Sequence, residues 1–167
     1  MKINLRLWTT DDIVWLVKNA NNKAIFDNMT DGFPFPYTAK SAKAFVEMTL
    51  NHTPRTILAI EFDEELAGSI GIHLQHDIYS KNAEMGYWLA EQFWEKGIIS
   101  VAIKQMTKYT FDNFQITRIF ARPFGRNIGS QKALEKAGFE LEAKFKDSIF
   151  KNGTFEDEYI YSIKLKS

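Results

Sequence analysis

Cysteine is absent from this sequence of 167 residues, which excludes disulfide bonds, thiolate nucleophiles and cysteine-ligated zinc in this chain. Net charge is absent as well, because 21 lysine and arginine residues balance 21 aspartate and glutamate residues. Nucleic-acid binders and proteins that dock on anionic membranes normally carry a strong positive field, so we expect neither a nucleic-acid nor a membrane partner. An anionic ligand would therefore need a local binding site.

Long apolar runs are also missing, since no stretch reaches the roughly 18 uninterrupted apolar residues of a membrane-spanning helix. The N-terminal segment places Lys2, Asn4 and Arg6 between apolar side chains, which is not the pattern of a secretory signal. We therefore expect a cytoplasmic protein. Histidine is scarce, and His73 and His76 are predicted to point to opposite faces near the end of a strand, so no metal site is expected.

Apolar residues, in contrast, are plentiful: they make up 45% of the chain and include 14 phenylalanines. A chain of this length can bury roughly 70% of its unfolded surface around one core. The sequence therefore predicts a single domain that covers residues 1–167.

The hydrophobic pattern alternates between the two-residue period of strands and the longer period of helices. It predicts elements in the order β, α, α, β, β, β, α, β, α, β, β, with hairpin turns at 63–65 and 152–153. The strands are predicted at 3–7, 56–62, 66–74, 83–90, 116–122, 143–150 and 155–165, and the helices from Thr10, from Thr38, at 97–114 and at 128–136. This order indicates an α+β fold with a mixed, mostly antiparallel twisted sheet and helices on both faces.

The first candidate site is the turn at 94–100, which leads from a strand into the start of a long helix. Backbone N–H groups at a helix N-terminus lack intrahelical partners and carry partial positive charge, so a pyrophosphate can bind there. Gly97 permits a close approach and Lys96 adds a full charge. An ordinary strand-to-helix turn accounts for the same residues, so this segment alone leaves both interpretations open.

The second candidate site, at 127–139, is more specific. Asn127 is a favoured helix N-cap, Gly138 suits the left-handed residue past a helix end, and Phe139 can pack back on the last turn. Capping does not account for Ser130. The segment reads Asn, two residues, Ser, three residues, and then Leu-Glu-Lys-Ala-Gly-Phe.

That segment resembles the coenzyme A binding helix of the GCN5-related N-acetyltransferase (GNAT) superfamily. Further matches follow in order at 35–38, 68–71, 83–89 and 94–97, and they resemble the branch of the ribosomal-protein-alanine N-acetyltransferases. The resemblance covers nearly the whole chain. It implies the acyl-CoA N-acyltransferase fold and an enzyme that transfers acetyl from acetyl-CoA to a primary amine, with no covalent enzyme intermediate and no metal.

The resemblance also implies where acetyl-CoA binds. In the family the strand equivalent to 87–90 diverges from its neighbour, and Leu89 and Ala90 offer backbone hydrogen bonds to the pantetheine arm that inserts there. The Leu89 N–H would face the thioester carbonyl as an oxyanion donor. The Asn127 amide would reach the pantetheine, and the pyrophosphate would be held by the N–H groups of Lys96, Gly97, Ile98, Ile99 and Ser100.

Two features depart from the family pattern. Many members begin the phosphate turn with Gln or Arg and carry a Gly or Ala two places after the first glycine, whereas this chain has Trp94 and Ile99. Many members also carry a tyrosine on the last helix that protonates the departing thiolate, and Leu134 occupies that position here. The natural substitute for this general acid is Ser130.

The reaction also needs a base, because only a neutral amine attacks a thioester, and Glu84 is the candidate. It is expected to share a strand face with Gly86 and Trp88, where partial desolvation would strengthen it as a base. A solvated glutamate beside Lys81 is an equally good interpretation of the same residue.

The acceptor is not legible from the sequence, and both a protein N-terminus and a small-molecule amine fit. Phe33, Phe35 and Tyr37 lie where the family places residues near the acceptor, although packing within the loop accounts for them as well. The oligomeric state is open, with a homodimer as one option. The alternative function is a catalytically weak or inactive coenzyme A binding module, which the leucine at position 134 favours.

Overall fold

Seven strands form one sheet in this structure, a computed structural model that describes residues 2–166. Their bounds are β1 Ile3–Arg6, β2 Ile57–Phe62, β3 Glu65–Leu74, β4 Asn82–Leu89, β5 Arg118–Ala121, β6 Glu140–Lys151 and β7 Thr154–Lys164. In the order β1-β2-β3-β4-β5-β7-β6, each neighbouring pair is antiparallel except β4 and β5, which are parallel. The expected mixed, mostly antiparallel sheet is confirmed.

Helices lie on both faces of this sheet, as expected. Their bounds are α1 Ile13–Ala20, α2 Lys23–Phe26, α3 Ala39–Asn51, α4 Ile98–Asn113 and α5 Ile128–Lys136. Side chains alternate along β4, so Met85 packs in the core with Ile103 of α4 and Leu134 of α5, whereas Trp88 packs in the opposite core with Leu16 of α1. Within residues 2–166, no helix is long and apolar enough to cross a membrane.

The first helix begins later than the sequence predicts. Thr10–Asp12 form a short 3-10 turn and α1 starts at Ile13, so Thr10 is not the helix cap. The reason is the buried Asp12 side chain, which accepts hydrogen bonds from the Thr9 N–H at 2.9 Å and from the Arg6 guanidinium at 2.8 Å. These bonds hold the preceding turn in a tighter geometry than an α-helix.

The second predicted helix is confirmed, because the Thr38 hydroxyl accepts from the Ser41 N–H at 3.2 Å and caps α3. The sequence missed α2, which contains only 4 residues. Its start is fixed by Asn22, whose Oδ1 accepts from the Ala24 N–H at 2.8 Å. A single turn is too short to show a hydrophobic period.

Two hairpins have two-residue turns in which both central residues have positive φ. Asn152 and Gly153, between β6 and β7, have φ of 52° and 78°, so this predicted turn is confirmed. Asp63 and Glu64, between β2 and β3, have φ of 48° and 71°. The acidic turn is one residue shorter than expected, because Glu65 already belongs to β3.

Candidate active site

The parallel strands β4 and β5 stay together for only part of their length. Asn82–Glu84 pair with Arg118–Phe120, and there the register ends. β5 stops at Ala121, whereas β4 continues to Leu89 and stays paired with β3 on its other side. The second half of β4 therefore borders an opening in the sheet, as the family resemblance implies.

Hydrogen-bonding groups alternate along β4, and the alternation decides which of them face this opening. The Gln75 N–H donates to the Asn82 carbonyl at 3.0 Å, and the Ala90 N–H donates to the Ala67 carbonyl at 2.9 Å. Even-numbered residues of this strand therefore bond to β3. The N–H and C=O groups of odd-numbered residues, including Leu89, point the other way into the opening, where an oxyanion donor is expected.

Ala90 differs from Leu89 in this respect. Its N–H is committed to the sheet, and its carbonyl accepts from the Phe93 N–H at 2.9 Å in the 3-10 turn that follows. Ala90 is expected to offer backbone hydrogen bonds to the pantetheine, and the bond from its N–H is therefore not available. The last residue of the strand with a backbone donor toward the opening is Leu89.

The turn before α4 has the features of an anion site. Gly97 occupies the N-cap position with φ +74°, and no side chain caps the helix. A methyl group placed on Gly97 would have no atom within 4 Å, so the space in front of the helix is open to a ligand. Lys96 is exposed there, and the Ser100 hydroxyl donates to the Gly97 carbonyl at 2.8 Å. Ser100 lies in the first turn of the helix, where backbone N–H groups have no intrahelical α-helical acceptor.

Trp94 has a role that sequence reasoning missed. Its indole Nε1–H donates to the Leu89 carbonyl at 2.9 Å. This bond joins the turn before α4 to the end of β4. It also occupies the backbone carbonyl of Leu89, which faces the opening. The departure from the usual Gln or Arg at this position therefore has a structural consequence, since the tryptophan joins two parts of the site.

The N-terminus of α5 is capped as predicted. The Asn127 Oδ1 accepts from the Ser130 N–H at 3.2 Å, which turns the amide nitrogen of Asn127 away from the helix as a donor for a ligand. At the other end, Gly138 has φ +94° and the buried Phe139 donates its N–H to the Leu134 carbonyl at 3.0 Å. Both caps of this helix are confirmed.

A hydrogen bond between side chains joins α5 to the unpaired half of β4. The hydroxyls of Tyr87 and Ser130 lie 2.6 Å apart, although 43 positions separate them in the sequence. Burial is the main cause that raises the pKa of Tyr87 above its ordinary value, and the hydrogen bond to Ser130 offsets part of that rise. Leu134 is fully buried in the core and offers no polar group. The motifs in the sequence do not single out the Tyr87 side chain. The alternation of side chains along β4 is the signal that predicts its position on the face of the sheet that α5 covers.

Glu84 lies on the opposite face of β4 from Tyr87, on the same face as Trp88, and it is half-buried. Arg122, just after β5, bonds to Glu158 of β7 at 2.9 Å. The pKa of Arg122 is raised by that hydrogen bond and also by the charge of Glu84. The Lys81 ammonium donates to the Gln115 side chain at 3.4 Å, and Glu84, being only half-buried, is still partly solvated.

The aromatic loop before α3 contributes mainly to packing. Tyr37 is buried, and its ring lies 5.4 Å from that of Phe33. Phe33 also contacts Trp88 edge-on at 5.8 Å, which places it on the same face of β4 as Glu84. Phe35 stacks on Phe26 at 5.3 Å and is 44% exposed. Phe33 therefore lies on the face of β4 that carries Glu84, whereas the ring contact of Phe35 is with α2.

The histidines do not form a cluster. His73 is exposed on β3, and His76 precedes a 3-10 turn at Asp77–Tyr79. Among residues 2–166 no group of three or more histidine, aspartate and glutamate side chains is arranged to hold a metal ion.

A comparison with protein families identifies the chain. Residues 2–140 match the family described as the acetyltransferase (GNAT) domain. This match covers most of the chain, which therefore belongs to the GNAT acetyltransferase family. The resemblance seen in the sequence is confirmed.

Individual relatives point to the same branch. YdaF of Bacillus subtilis (strain 168), whose name places it among the ribosomal N-acetyltransferases, is 33% identical over 102 residues, which are 61% of this chain and 55% of that protein. The ribosomal-protein-serine acetyltransferase of Escherichia coli (strain K12) is 29% identical over 100 residues, which are 60% of this chain and 55% of that protein. The chain thus matches about half the length of these curated relatives.

A solved structure shares the fold. RimL, a ribosomal alpha-N-protein acetyltransferase in complex with coenzyme A, superposes with a TM-score of 0.84 at 24% identity, over 99% of this chain and 95% of that chain. The acyl-CoA N-acyltransferase fold implied by the resemblance is therefore confirmed.

Proposed function

We propose that the protein is an N-acetyltransferase that moves the acetyl group of acetyl-CoA to a primary amine by direct attack. The observation that carries this proposal is the opening beside β4. Pairing with β5 stops there, and the unpaired half of the strand is hydrogen-bonded to Trp94, in the turn that leads into α4, and to Ser130, in the first turn of α5. Bound acetyl-CoA would supply an activated acetyl group on a thiolate leaving group.

Backbone groups would do most of the binding. The open space in front of Gly97 and the uncapped start of α4 fit a pyrophosphate, held by the N–H groups of Lys96, Gly97, Ile98, Ile99 and Ser100. The Asn127 amide nitrogen would donate to the pantetheine, because its oxygen is occupied by the helix cap. Ala90 has no part in these contacts through its N–H, which the sheet uses.

The chain's residues would divide the chemistry as follows. Glu84, directly or through a water, takes a proton from the ammonium form of the acceptor. The nitrogen lone pair attacks the thioester carbon and forms the C–N bond, while the Leu89 N–H stabilises the oxyanion. The C–S bond then breaks with its electron pair on sulfur, and Ser130 gives its hydroxyl proton to that sulfur. The attached nitrogen loses its second proton to solvent, Glu84 releases the proton it took to solvent, and solvent restores the proton of Ser130.

Apart from Glu84, the acidic residues of β7 on this side of the site are paired with arginines, which narrows the class of acceptor. Glu158 is paired with Arg122 at 2.9 Å, and Glu156 is paired with Arg126 at 2.8 Å. A polyamine would need unpaired carboxylates for its additional charges. The arrangement therefore favours an acceptor with one amine, such as the protein N-terminus that the description of RimL as an alpha-N-protein acetyltransferase suggests.

One observation favours a second candidate function. Leu134 is fully buried where many family members carry the tyrosine that protonates the leaving group. A chain that kept the cofactor site and lost turnover would be a coenzyme A binding module.

Thermal unfolding with acetyl-CoA, followed by an assay of thiol release, separates these functions. At about 100 times its Kd a ligand adds roughly 2.7 kcal/mol, which should raise the Tm by about 5–10 °C for a chain of this size. Peptide N-termini and small amines then serve as acceptors. Thiol release confirms the enzyme. A shift without thiol release favours the binding module, and the absence of a shift contradicts both.

The same assay also tests the assignment of Glu84 as the base. Glu84→Gln keeps the size of the side chain and removes its charge, so the acidic limb of kcat/KM against pH should flatten or move. Glu65→Gln, an exposed change at the start of β3, is the control. An unchanged limb in Glu84→Gln would show that another group takes the proton.

A further inference from the structure

The strongest unassigned feature of the site is the hydroxyl pair of Tyr87 and Ser130. Their oxygens lie 2.6 Å apart, a short distance for two neutral hydroxyls. Tyr87 belongs to the unpaired half of β4, and Ser130 lies in the first turn of α5. The bond therefore joins two walls of the opening at the residue that the proposed function makes the general acid.

The chemistry of the two groups favours one direction for this bond. A phenol is more acidic than an aliphatic alcohol, so the Tyr87 O–H is the better donor and the Ser130 oxygen the better acceptor. A serine hydroxyl has one hydrogen and two lone pairs. When Tyr87 occupies a lone pair, the hydrogen of Ser130 is left free to point into the opening.

The backbone of Ser130 is fixed as well. Its N–H is held by the Asn127 cap at 3.2 Å, so the rotation of the hydroxyl is the main freedom that the residue retains. The bond to Tyr87 removes that freedom. Hydrogen bonds in a chain also polarise one another, so a donated bond from Tyr87 makes Ser130 a stronger donor to a developing thiolate.

We propose that Tyr87 is a positioning residue for acetyl transfer, which donates to the Ser130 oxygen and aims the Ser130 hydrogen at the sulfur of the leaving coenzyme A. This inference rests on the proposed function of Ser130. It supplies from β4 a phenol that many family members carry on the last helix, where this chain has the buried Leu134.

Tyr87 acts through Ser130 and keeps its own proton. Burial raises the pKa of Tyr87, so the phenol stays neutral throughout the range in which proteins are assayed. In the step itself, the C–S bond breaks with its electrons on sulfur, the Ser130 proton moves to that sulfur, and a solvent proton restores Ser130 after the thiol leaves. The hydrogen bond from Tyr87 stabilises Ser130 in this exchange without being broken.

Tyr87→Phe tests the proposal, because it removes the hydroxyl and keeps the ring. We expect kcat to fall about three- to tenfold, the range for one neutral hydrogen bond, with the KM for acetyl-CoA unchanged. Ser130→Ala should lower kcat by at least as much. The double variant should be no slower than Ser130→Ala, because the phenol has no other route to the sulfur.

Tyr161→Phe is the matched control. Tyr161 of β7 is buried, and its O–H donates to Glu135 of α5 at 3.0 Å, but Glu135 lies at the far end of that helix from Ser130. This variant should lower the Tm and leave kcat unchanged. If Tyr87→Phe behaves in the same way, its role is structural and the proposal is wrong.

The remaining outcomes are also decisive. Effects of Tyr87→Phe and Ser130→Ala that multiply in the double variant would show two independent roles and overturn the proposal. A raised KM with unchanged kcat would make Tyr87 a binding residue, which also overturns it. Should the parent release thiol while Ser130→Ala is as fast as the parent, the inference fails although the acetyltransferase stands. If the parent releases no thiol, the proposed function fails first.

Discussion

The turn before α4 and the first turn of α5 are both hydrogen-bonded to the unpaired half of β4, but the two helices leave their N-terminal backbone N–H groups in different states. At α4 the cap is Gly97, which has no side chain to accept a hydrogen bond. At α5 the Asn127 oxygen accepts from the Ser130 N–H. Helix α4 therefore presents backbone N–H donors to a ligand. Helix α5 uses the Asn127 side chain to accept from one of its own N–H groups and presents side-chain groups to the ligand.

This difference predicts which substitutions each site tolerates. A backbone site depends on φ and on empty space, so it is sensitive to any side chain placed at Gly97 and less sensitive to the identity of its neighbours. A side-chain site depends on the functional groups of Asn127 and Ser130, so substitutions of similar shape separate capping from binding. The predictions below test this contrast, in order of decreasing effect.

The largest effect is expected from Gly97→Val. A branched side chain at φ +74° strains the backbone and fills the space in front of α4, so acetyl-CoA should bind at least about tenfold more weakly, which is about 1.4 kcal/mol. Isothermal titration calorimetry of the folded variant measures this. Gly153→Val is a close control, because Gly153 has φ +78° and equally open surroundings in the β6–β7 turn.

The control should lose stability to a similar extent and keep its affinity. Equal affinities in Gly97→Val and the parent would show that no anion binds in front of α4.

A smaller effect is expected at Asn127, where two variants separate its roles. Asn127→Ala removes the cap and the donor, so stability should fall by about 1 kcal/mol together with affinity. Asn127→Asp caps as well as asparagine but cannot donate, so the Tm should persist while acetyl-CoA affinity drops about three- to tenfold. Thermal unfolding and calorimetry measure the pair.

Asn22→Ala provides the comparison for this prediction. Asn22 caps α2 through a bond from the Ala24 N–H at 2.8 Å, so its loss should lower the Tm without changing affinity. Unchanged affinity in Asn127→Asp would mean that Asn127 is a helix cap and nothing more.

The smallest effect is expected from Lys96→Ala. The Lys96 Nζ lies 5.5 Å from the centre of the Phe93 ring, and the side chain is exposed. Because solvent and salt screen an exposed charge, the affinity for acetyl-CoA should fall only about threefold. The loss should be greatest at low salt. Lys104→Ala, an exposed change further along α4, should have no effect at any salt concentration. If Lys96→Ala lost more affinity for acetyl-CoA than Gly97→Val, the site before α4 would depend on a side-chain charge rather than on backbone N–H groups, which would contradict the comparison.

The elements of the fold were largely predictable because their signals are local. Periodicity located the strands and the long helices, and the cap at Thr38 and the Asn152-Gly153 turn were both confirmed. Thr10 failed as a cap because its neighbour Asp12 is held by Arg6, which comes from the preceding strand. The single turn of α2 was too short to leave a pattern.

The site was predictable in its segments and not in its connections. The resemblance located the phosphate turn and the capped helix. The commitment of the Ala90 N–H to Ala67 depends on the register of two strands, which no local pattern reports. The bond between Tyr87 and Ser130 joins residues 43 positions apart. The bond from Trp94 to Leu89 depends on the 3-10 turn between them, which the sequence did not predict.

The most direct test of the account is a titration of the ¹⁵N-labelled protein with acetyl-CoA, followed by NMR of the backbone amides. The account predicts that the largest shifts occur at residues 96–100 and at Leu89, whose N–H groups face the ligand. The Ala90 amide, which is held by β3, should shift much less than that of Leu89. Shifts that leave 96–100 and Leu89 unchanged and cluster elsewhere would contradict the proposed site.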